Sequence, residues 1–317
     1  MAATPGPLPE GSATPHSEAR RGFLLGVAAY GIWGLFPLYW PLLEPAGAIE
    51  ILAHRILWSC ITMGLLVLAM RRVPAVRAMV AVRRVRVLLV LAACLITVNW
   101  AVYIWGVNNG HVVETSLGYF VNPLVTVLMG VFILGERLRG WQWVALAVAG
   151  LAVAVLTIDY GRPPWIALTL ALTFGSYGLC KKQAGAPAIE SLTFETMVIG
   201  PVALAYLGVL QWQGDSHLTG HGPGHVLLLM SAGIVTAVPL ACFGGAAIRV
   251  PLVTLGLLQY LTPTLQFALG VLYFHEDMPA GRWVGFGLVW IALVVFTVEA
   301  TGHHRRQLRL AALASTA

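Results

Sequence analysis

Ten times along this sequence an apolar run recurs at close to the length of a bilayer-crossing helix: residues 22–41, 47–70, 87–107, 113–134, 140–158, 163–180, 190–211, 224–244, 251–274 and 282–300. A helix needs about 20 apolar residues to cross the hydrocarbon core. Lipid offers no partner to a stray backbone N–H or C=O, so such runs fold as helices rather than as loops or open strands. Charged residues make up 10% of the chain and hydrophobic residues 58%, whereas a soluble domain carries roughly 25% charge. The expected fold class is an all-α polytopic membrane protein with ten transmembrane helices.

Basic residues collect in cytoplasmic loops, and this pattern orients the runs. With the N-terminus inside, the inner segments hold Arg20, Arg21, Arg71, Arg72, Arg77, Arg83, Arg84, Arg86, Arg137, Arg139, Lys181, Lys182, Arg249, Arg305, Arg306 and Arg309. Only Arg162 and Arg282 fall outside, and Arg55 lies within a helix. The chain is thus expected in the inner (plasma) membrane with both termini cytoplasmic.

The second constraint is a repeat. Gly118 to Val144 overlays Leu258 to Val284 without gaps, pairing Pro123 with Pro263, Gly130 with Gly270, Glu136 with Glu276 and Trp143 with Trp283. The same 140-residue offset sets Ala48, Ile49 and Glu50 on Ala188, Ile189 and Glu190. Five helices per copy is an odd number, so the second copy must lie upside down. The loops agree: Gly135-Glu136-Arg137-Leu138-Arg139 is basic, and its counterpart His275-Glu276-Asp277-Met278-Pro279 is acidic. The expected organisation is a disordered cytoplasmic tail over 1–20, one five-helix repeat over 21–159, an inverted one over 160–300, and a basic cytoplasmic tail over 301–317. Inverted repeats that rock against each other expose one midplane site to either side in turn, which is a common way to build a transporter.

Several segments are structural or topogenic. The six arginines between Arg71 and Arg86 read as a lipid-facing loop rather than a nucleic-acid patch. Asp215, His217, His221 and His225 have spacings that could suit a metal on a helix, but Gly214, Gly220, Gly222, Pro223 and Gly224 argue against a helix there, and no metal is expected. Cys60, Cys94, Cys180 and Cys242 fall in hydrophobic runs and read as reduced packing residues. Small residues at Gly22 and Gly26 and at Gly281, Gly285 and Gly287 suit close helix approach. Trp40, Trp105, Trp141, Trp143, Trp165 and Trp283 sit near run ends and read as interfacial anchors.

Polar groups that lipid makes costly are the place to look for chemistry. They are His54, Arg55, Asn99, Glu114 and Glu195. The offset lays Arg55 over Glu195, so the two could pair with each other or together face a zwitterionic substrate; alternatively Arg55 snorkels to the headgroups, and Glu114 is a helix-terminal charge. Along the fourth run Glu114, Tyr119, Asn122 and Thr126 share a face. They match Thr254, Gln259, Thr262 and Gln266 along the ninth. Each face contains a proline, Pro123 or Pro263, that frees a carbonyl four residues earlier and marks an expected broken helix. Trp58, Trp100, Tyr103, Tyr177 and Tyr260 add rings that could stack on an organic substrate.

The run Leu117-Gly118-Tyr119-Phe120-Val121-Asn122-Pro123-Leu124, followed by Gly135-Glu136-Arg137-Leu138, resembles the RarD branch of the EamA transporters in the drug/metabolite transporter superfamily. Ala29 to Gly34, Glu50 to Arg55, Asn99-Trp100 and Val107-Asn108 resemble it too, and the likeness covers roughly residues 20–300. The resemblance implies two inverted EamA-type repeats and a secondary transporter that exports or exchanges a small organic molecule. The RarD name is linked to chloramphenicol sensitivity, but the resemblance fixes no substrate. No phosphate-binding Gly-x4-Gly-Lys-Ser/Thr loop is present, so an ion gradient, an exchanged solute or the substrate's own gradient must drive it, and no cofactor is expected. Arg55 would meet an anionic substrate group, and Glu114 or Glu195 would carry a coupling proton. A membrane-embedded enzyme would need clustered catalytic carboxylates or histidines that the chain lacks, and a sensor would need an output domain. The expected partners are the substrate and the bilayer, with no nucleic acid, and the sequence leaves a homodimer open.

Overall fold

A computed structural model of the chain describes residues 15–135 and 138–315. These are helical almost throughout: α1 (Pro15–Gly34), α2 (Phe36–Tyr39), a 3-10 turn (Trp40–Leu43), α3 (Ala48–Ala69), α4 (Val73–Ala81), α5 (Arg83–Asn108), α6 (Val112–Leu134), α7 (Gly140–Tyr160), α8 (Trp165–Ala184), α9 (Ala188–Gln213), α10 (Gly222–Ala247), α11 (Leu252–Leu258), α12 (Leu261–Ala268), a π turn (Leu269–Tyr273) and α13 (Ala280–Ser315). Eight of the expected apolar runs fall on a single one of these helices, while 22–41 is divided among α1, α2 and the 3-10 turn and 251–274 among α11, α12 and the π turn. By length and apolarity, eight of the described helices suffice to cross a membrane, and the pair Glu18–Gly34 with Phe36–Leu43, bent by 45°, makes a ninth. Helix α8 stays outside that set because Lys181 and Lys182 close its last turn. Residues 15–20, expected in a disordered tail, open α1, and α13 runs on through residues 301–315 as helix. The rest of the N-terminal tail, with Glu136 and Arg137, lies outside the described residues.

The bundle is assembled by close helix crossings. Helix α3 packs on α9, α10 and α5, while α8 packs on α5 and α6; α7 packs on α13, and α1 on α10 and α12. Without a hydrophobic drive between helices in lipid, small residues set these approaches. A Cβ on Gly233 of α10 would lie 2.4 Å from the Trp58 carbonyl oxygen of α3, and one on Gly285 of α13 would lie 2.4 Å from Leu156 of α7. One core joins the 3-10 turn, α3 and α5 through Trp40, Leu43, Ile51 and Ile104. A second joins α6, α7 and α13 through Leu117, Leu124, Leu156 and Phe286. The outward faces stay apolar, with Phe132 80% and Ile158 81% exposed, as a lipid-facing surface requires.

The two prolines, both expected to break their helices, behave differently from each other. Helix α6 is not broken at Pro123: it runs through from Val112 to Leu134. It is backed by α8, where a Cβ on Gly118 would meet the Leu170 Cβ at 2.8 Å and where Gly175 faces Val125, Thr126 and Met129. At Pro263 the break is real, because α11 stops at Leu258 and α12 begins at Leu261. A proline cannot donate to the carbonyl four residues back and clashes with it, which here falls at Gln259 between the two helices.

Connections meet at two ends. At one, Glu50 of α3 binds His217, Glu276 binds the start of α6, Glu114 binds Arg162 and Asp159 binds Arg282. At the other, Arg72 binds Glu190, Arg139 binds Glu299 and Arg249 binds Glu18. These are called below the histidine end and the arginine end.

Candidate functional site

Arg55 sits two turns into α3 from the histidine end and is 4% exposed. Its guanidinium carbon lies 3.8 Å from the Trp100 ring centroid, 5.0 Å from Trp40 and 5.6 Å from Phe36. Desolvated cation–π contacts of this kind are worth about 2 kcal/mol or more each at best. The one side-chain hydrogen bond goes from Nε to Thr236 Oγ1 of α10, at 3.2 Å. Among the described residues no carboxylate is in ion-pair reach of it, and Nη1 has no hydrogen-bond partner. The side chain therefore does not snorkel; it is held inside the bundle by rings. The bend after Gly34 makes this possible, since α2 and the 3-10 turn fold Phe36 and Trp40 inwards. Trp40, expected as an interfacial anchor, is fully buried, because its ring closes the cage. Trp105, Trp141, Trp143, Trp165 and Trp283 are exposed as anchors should be.

Beside the cage lies a polar network drawn from five helices. The Gln266 Nε2 of α12 donates to Tyr103 Oη at 2.8 Å and to the Trp33 carbonyl at 3.1 Å, which leaves Gln266 Oε1 unpartnered. Tyr103 and Tyr119 meet edge to face, 5.7 Å between centroids. Tyr119 donates to Asn99 Oδ1 at 3.3 Å, and Asn99 Nδ2 donates to the Leu170 carbonyl and to Thr173. Thr262 donates to the Tyr30 carbonyl. Asn122 Oδ1 and Trp58 Nε1 are further buried atoms without partners. Such orphans are rare in folded proteins and ask for a ligand or water. The expected residues Asn99, Tyr103, Tyr119 and Gln266 are thus tied to one network, Thr262 and Pro263 are buried on α12 a turn before Gln266, and Arg55 stacks on Trp100, the neighbour of Asn99 on α5.

The other expected residues go elsewhere. Arg55 and Glu195 do not pair: Glu195 accepts from Lys181 Nζ at 2.6 Å and from Tyr177 at 3.2 Å, near the arginine end. Lys181, read from the sequence as a topogenic charge, also donates to Ser191. Glu114 is a buried member of the histidine end, where Arg162 donates to both its oxygens (2.8 and 3.2 Å) and the Ile166 N–H adds 3.1 Å. Thr126 is exposed and donates to the Asn122 carbonyl. Gln259 and Tyr260 occupy the break between α11 and α12, and His54 is buried within reach of Glu50 and His225. Phe36 and Trp40 are the members that sequence reasoning missed; their spacing from Trp33 was the available signal.

Outside the spans, Glu276 accepts from the Val112 and Val113 N–H groups at 2.5 and 3.0 Å. A helix start leaves its first N–H groups unpaired, and this carboxylate accepts from two of them across more than 160 residues of chain. Burial pushes its carboxyl up, while the two N–H bonds and Arg282 pull it down.

A bundle of helices this long and apolar, with a ring-lined cation and an amide network inside it, is a polytopic membrane protein. Comparison with known proteins makes this specific. The EamA-like transporter family matches residues 20–158. Protein RarD of Streptomyces exfoliatus is 56% identical over 301 residues, 95% of this chain and 96% of its own length. A Pseudomonas aeruginosa protein named as an uncharacterized transporter is 42% identical, covering 92% and 97%. Protein RarD of Escherichia coli K12 is 42% identical, covering 91% and 98%. A crystal structure with 17% identity aligns at a TM-score of 0.55 over 88% of this chain and 98% of that one, a likeness of fold alone. The chain belongs to the EamA-like transporter family, in its RarD branch, and is a transporter of the drug/metabolite transporter superfamily.

Proposed function

We propose that this protein carries a small organic metabolite or drug with an anionic group across the inner membrane by alternating access, in the direction of export. The observation that carries the reading is Arg55: among the described residues it is the one buried Arg or Lys, no acid is paired with it, and Nη1 is free. An Arg fork recognises carboxylate or phosphate oxygens through parallel N–H bonds. Gln266 Oε1 and Asn122 Oδ1 are acceptors suited to a donor group elsewhere on the solute, and Trp58, Trp100, Tyr103 and Tyr119 offer ring faces to its body.

Ten spans in two inverted five-helix repeats, over 21–159 and 160–300, give the machine its two faces. Reciprocal contacts support the inversion. Glu50 in the first turn of α3 binds the loop after α9, and Glu190 in the first turn of α9 binds the loop after α3. Glu50 and Glu190 are the residues that the 140-residue offset aligns. With both termini cytoplasmic, the histidine end faces outwards and the arginine end inwards.

The test compares metabolite profiles of cells and medium with the wild type, an Arg55→Ala version at matched membrane level, and an empty control. A compound that leaves the cells only with the wild type names the substrate for liposome assays. Identical profiles across growth conditions would sink the export reading.

A further inference from the structure

A second buried polar group, His54, immediately precedes Arg55 in the sequence. His54 is 2% exposed and neither ring nitrogen has a partner; His225 in the first turn of α10 is 8% exposed and its Nε2 has none. Glu50 lies one turn before His54 on the same face of α3, and Glu50 and His225 are both close enough to act electrostatically on His54. From this pair a row of imidazoles leads to the surface. The His225 and His221 rings are 5.5 Å apart, those of His221 and His217 5.7 Å, and His217 Nδ1 is 2.7 Å from Glu50 Oε2. His221, in the middle of the row, is exposed.

Three orphan ring nitrogens in a low-dielectric setting require a partner. A metal does not fit, because among the described residues no group of three or more His, Cys, Asp or Glu side chains is arranged to hold one. A proton does fit, since imidazole is the side chain that gains and loses one in the neutral range. The carboxylates expected to do this work are occupied: Glu114 is held by Arg162 and Glu195 by Lys181.

Resting on the transporter reading above, we propose that His54 and His225 form the proton-binding site of the transport cycle, loaded from the outer side past His217 and His221. A new N–H bond forms on a free ring nitrogen with a proton drawn from water. It breaks again to water when the Arg55 level opens to the other side, and no electron moves. Glu50 supplies the facing negative charge. The other titratable groups around the pair are Arg55 on α3, His217 and His221 before α10, Tyr206 on α9, which feels Glu50, and Tyr39 on α2, whose hydroxyl binds the Leu228 carbonyl and Ser231 of α10. His54 shares its level with Arg55, so the movement that exposes the substrate to either side exposes the proton too. The offset places Phe194 opposite His54, so the second repeat has no equivalent group.

Two measurements test this, one of them without any substrate. In purified protein, a pH jump through the neutral range followed with an indicator dye should show His54→Gln taking up about one proton fewer per chain than the wild type. In liposomes, His225→Gln should lose about tenfold of the flux driven by an imposed proton gradient, a size within ordinary site-to-site coupling, while substrate exchange without a gradient persists. Unchanged proton uptake together with unchanged gradient-driven flux would overturn the assignment. If His54→Gln fails to fold, proton uptake by His225→Gln decides the same question. Absence of any flux in the wild type would instead remove the transporter reading, and the dye measurement would still show whether the pair binds a proton.

Discussion

Arg55 and Glu195 are related by the 140-residue offset and lie at matching distances from the starts of α3 and α9, yet their surroundings are opposite. Glu195 is 2% exposed, but Lys181 and Tyr177 hold its oxygens. Arg55 is just as deep and has rings, one hydroxyl and a free nitrogen. A buried ion pair is self-contained; removing either partner leaves a charge in low dielectric, whereas replacing both with apolar groups can be harmless. An unpaired buried cation is instead an open valence. The difference separates two roles that charge and depth alone do not distinguish: on the function proposed above, Glu195 serves the fold and Arg55 the solute.

The largest expected effect breaks the comparison on the Arg55 side. Truncating one partner of a buried charge pair costs about 2–5 kcal/mol, and 1.4 kcal/mol is about tenfold in affinity. Arg55→Ala should therefore weaken substrate binding by about 30-fold to several thousand-fold, read by liposome counterflow at equal reconstitution. Arg55→Lys keeps the charge but not the fork and should fall between. Counterflow that is normal in a folded Arg55→Ala protein would return Arg55 to packing.

On the Glu195 side the loss should appear as stability. Lys181→Met strands the Glu195 carboxylate and should destabilise the protein by about 3–5 kcal/mol, seen as a lower detergent melting temperature. The double variant Lys181→Met with Glu195→Leu should recover most of that loss and still transport. Failure of the double variant to transport while it melts normally would show that Glu195 also touches the solute.

This pair shows where the sequence stops being legible. The apolar runs fall on the observed helices, and the rarity of charge in them singled out Arg55, because lipid penalises both mistakes locally. Partners are not local. Lys181 sits at a helix end where any basic residue reads as topogenic, and only the crossing of α8 with α9 brings it to Glu195. Trp40 likewise reads as a belt residue until the 45° bend after Gly34 turns it towards Arg55. The proline rule worked at Pro263 and failed at Pro123 for the same reason, because backing by α8 through Gly118 and Gly175 is a tertiary fact.

A smaller effect sharpens the picture of the network next to Arg55. Gln266→Leu removes the donor to Tyr103 and the Trp33 carbonyl, leaving both with one bond fewer. A lost hydrogen bond with an unsatisfied partner costs about 1–3 kcal/mol. Binding should weaken by about 5- to 150-fold for a solute that donates to Gln266 Oε1 and little for an analogue lacking that donor. Equal losses for both solutes would place Gln266 among the supports of Tyr103 rather than at the solute.

The smallest effect concerns Glu276, whose repeat-related residue Glu136 lies outside the described residues. Burial is the dominant influence and raises its carboxyl above the ordinary value, against the pull of the Val112 and Val113 N–H groups and Arg282. A raised value means that the folded protein holds this proton more tightly than the unfolded chain does. Its contribution to stability is therefore greatest at acid pH and is lost as pH rises through the folded value. Glu276→Gln should remove that slope, so the melting temperature should rise less on acidification from neutral pH than it does in the wild type. Glutamine still offers one acceptor to the start of α6, so the neutral-pH melting temperature should change little. A steeper acid slope in the variant would mean that the N–H bonds outweigh burial, and that Glu276 is held as a carboxylate by the helix it caps.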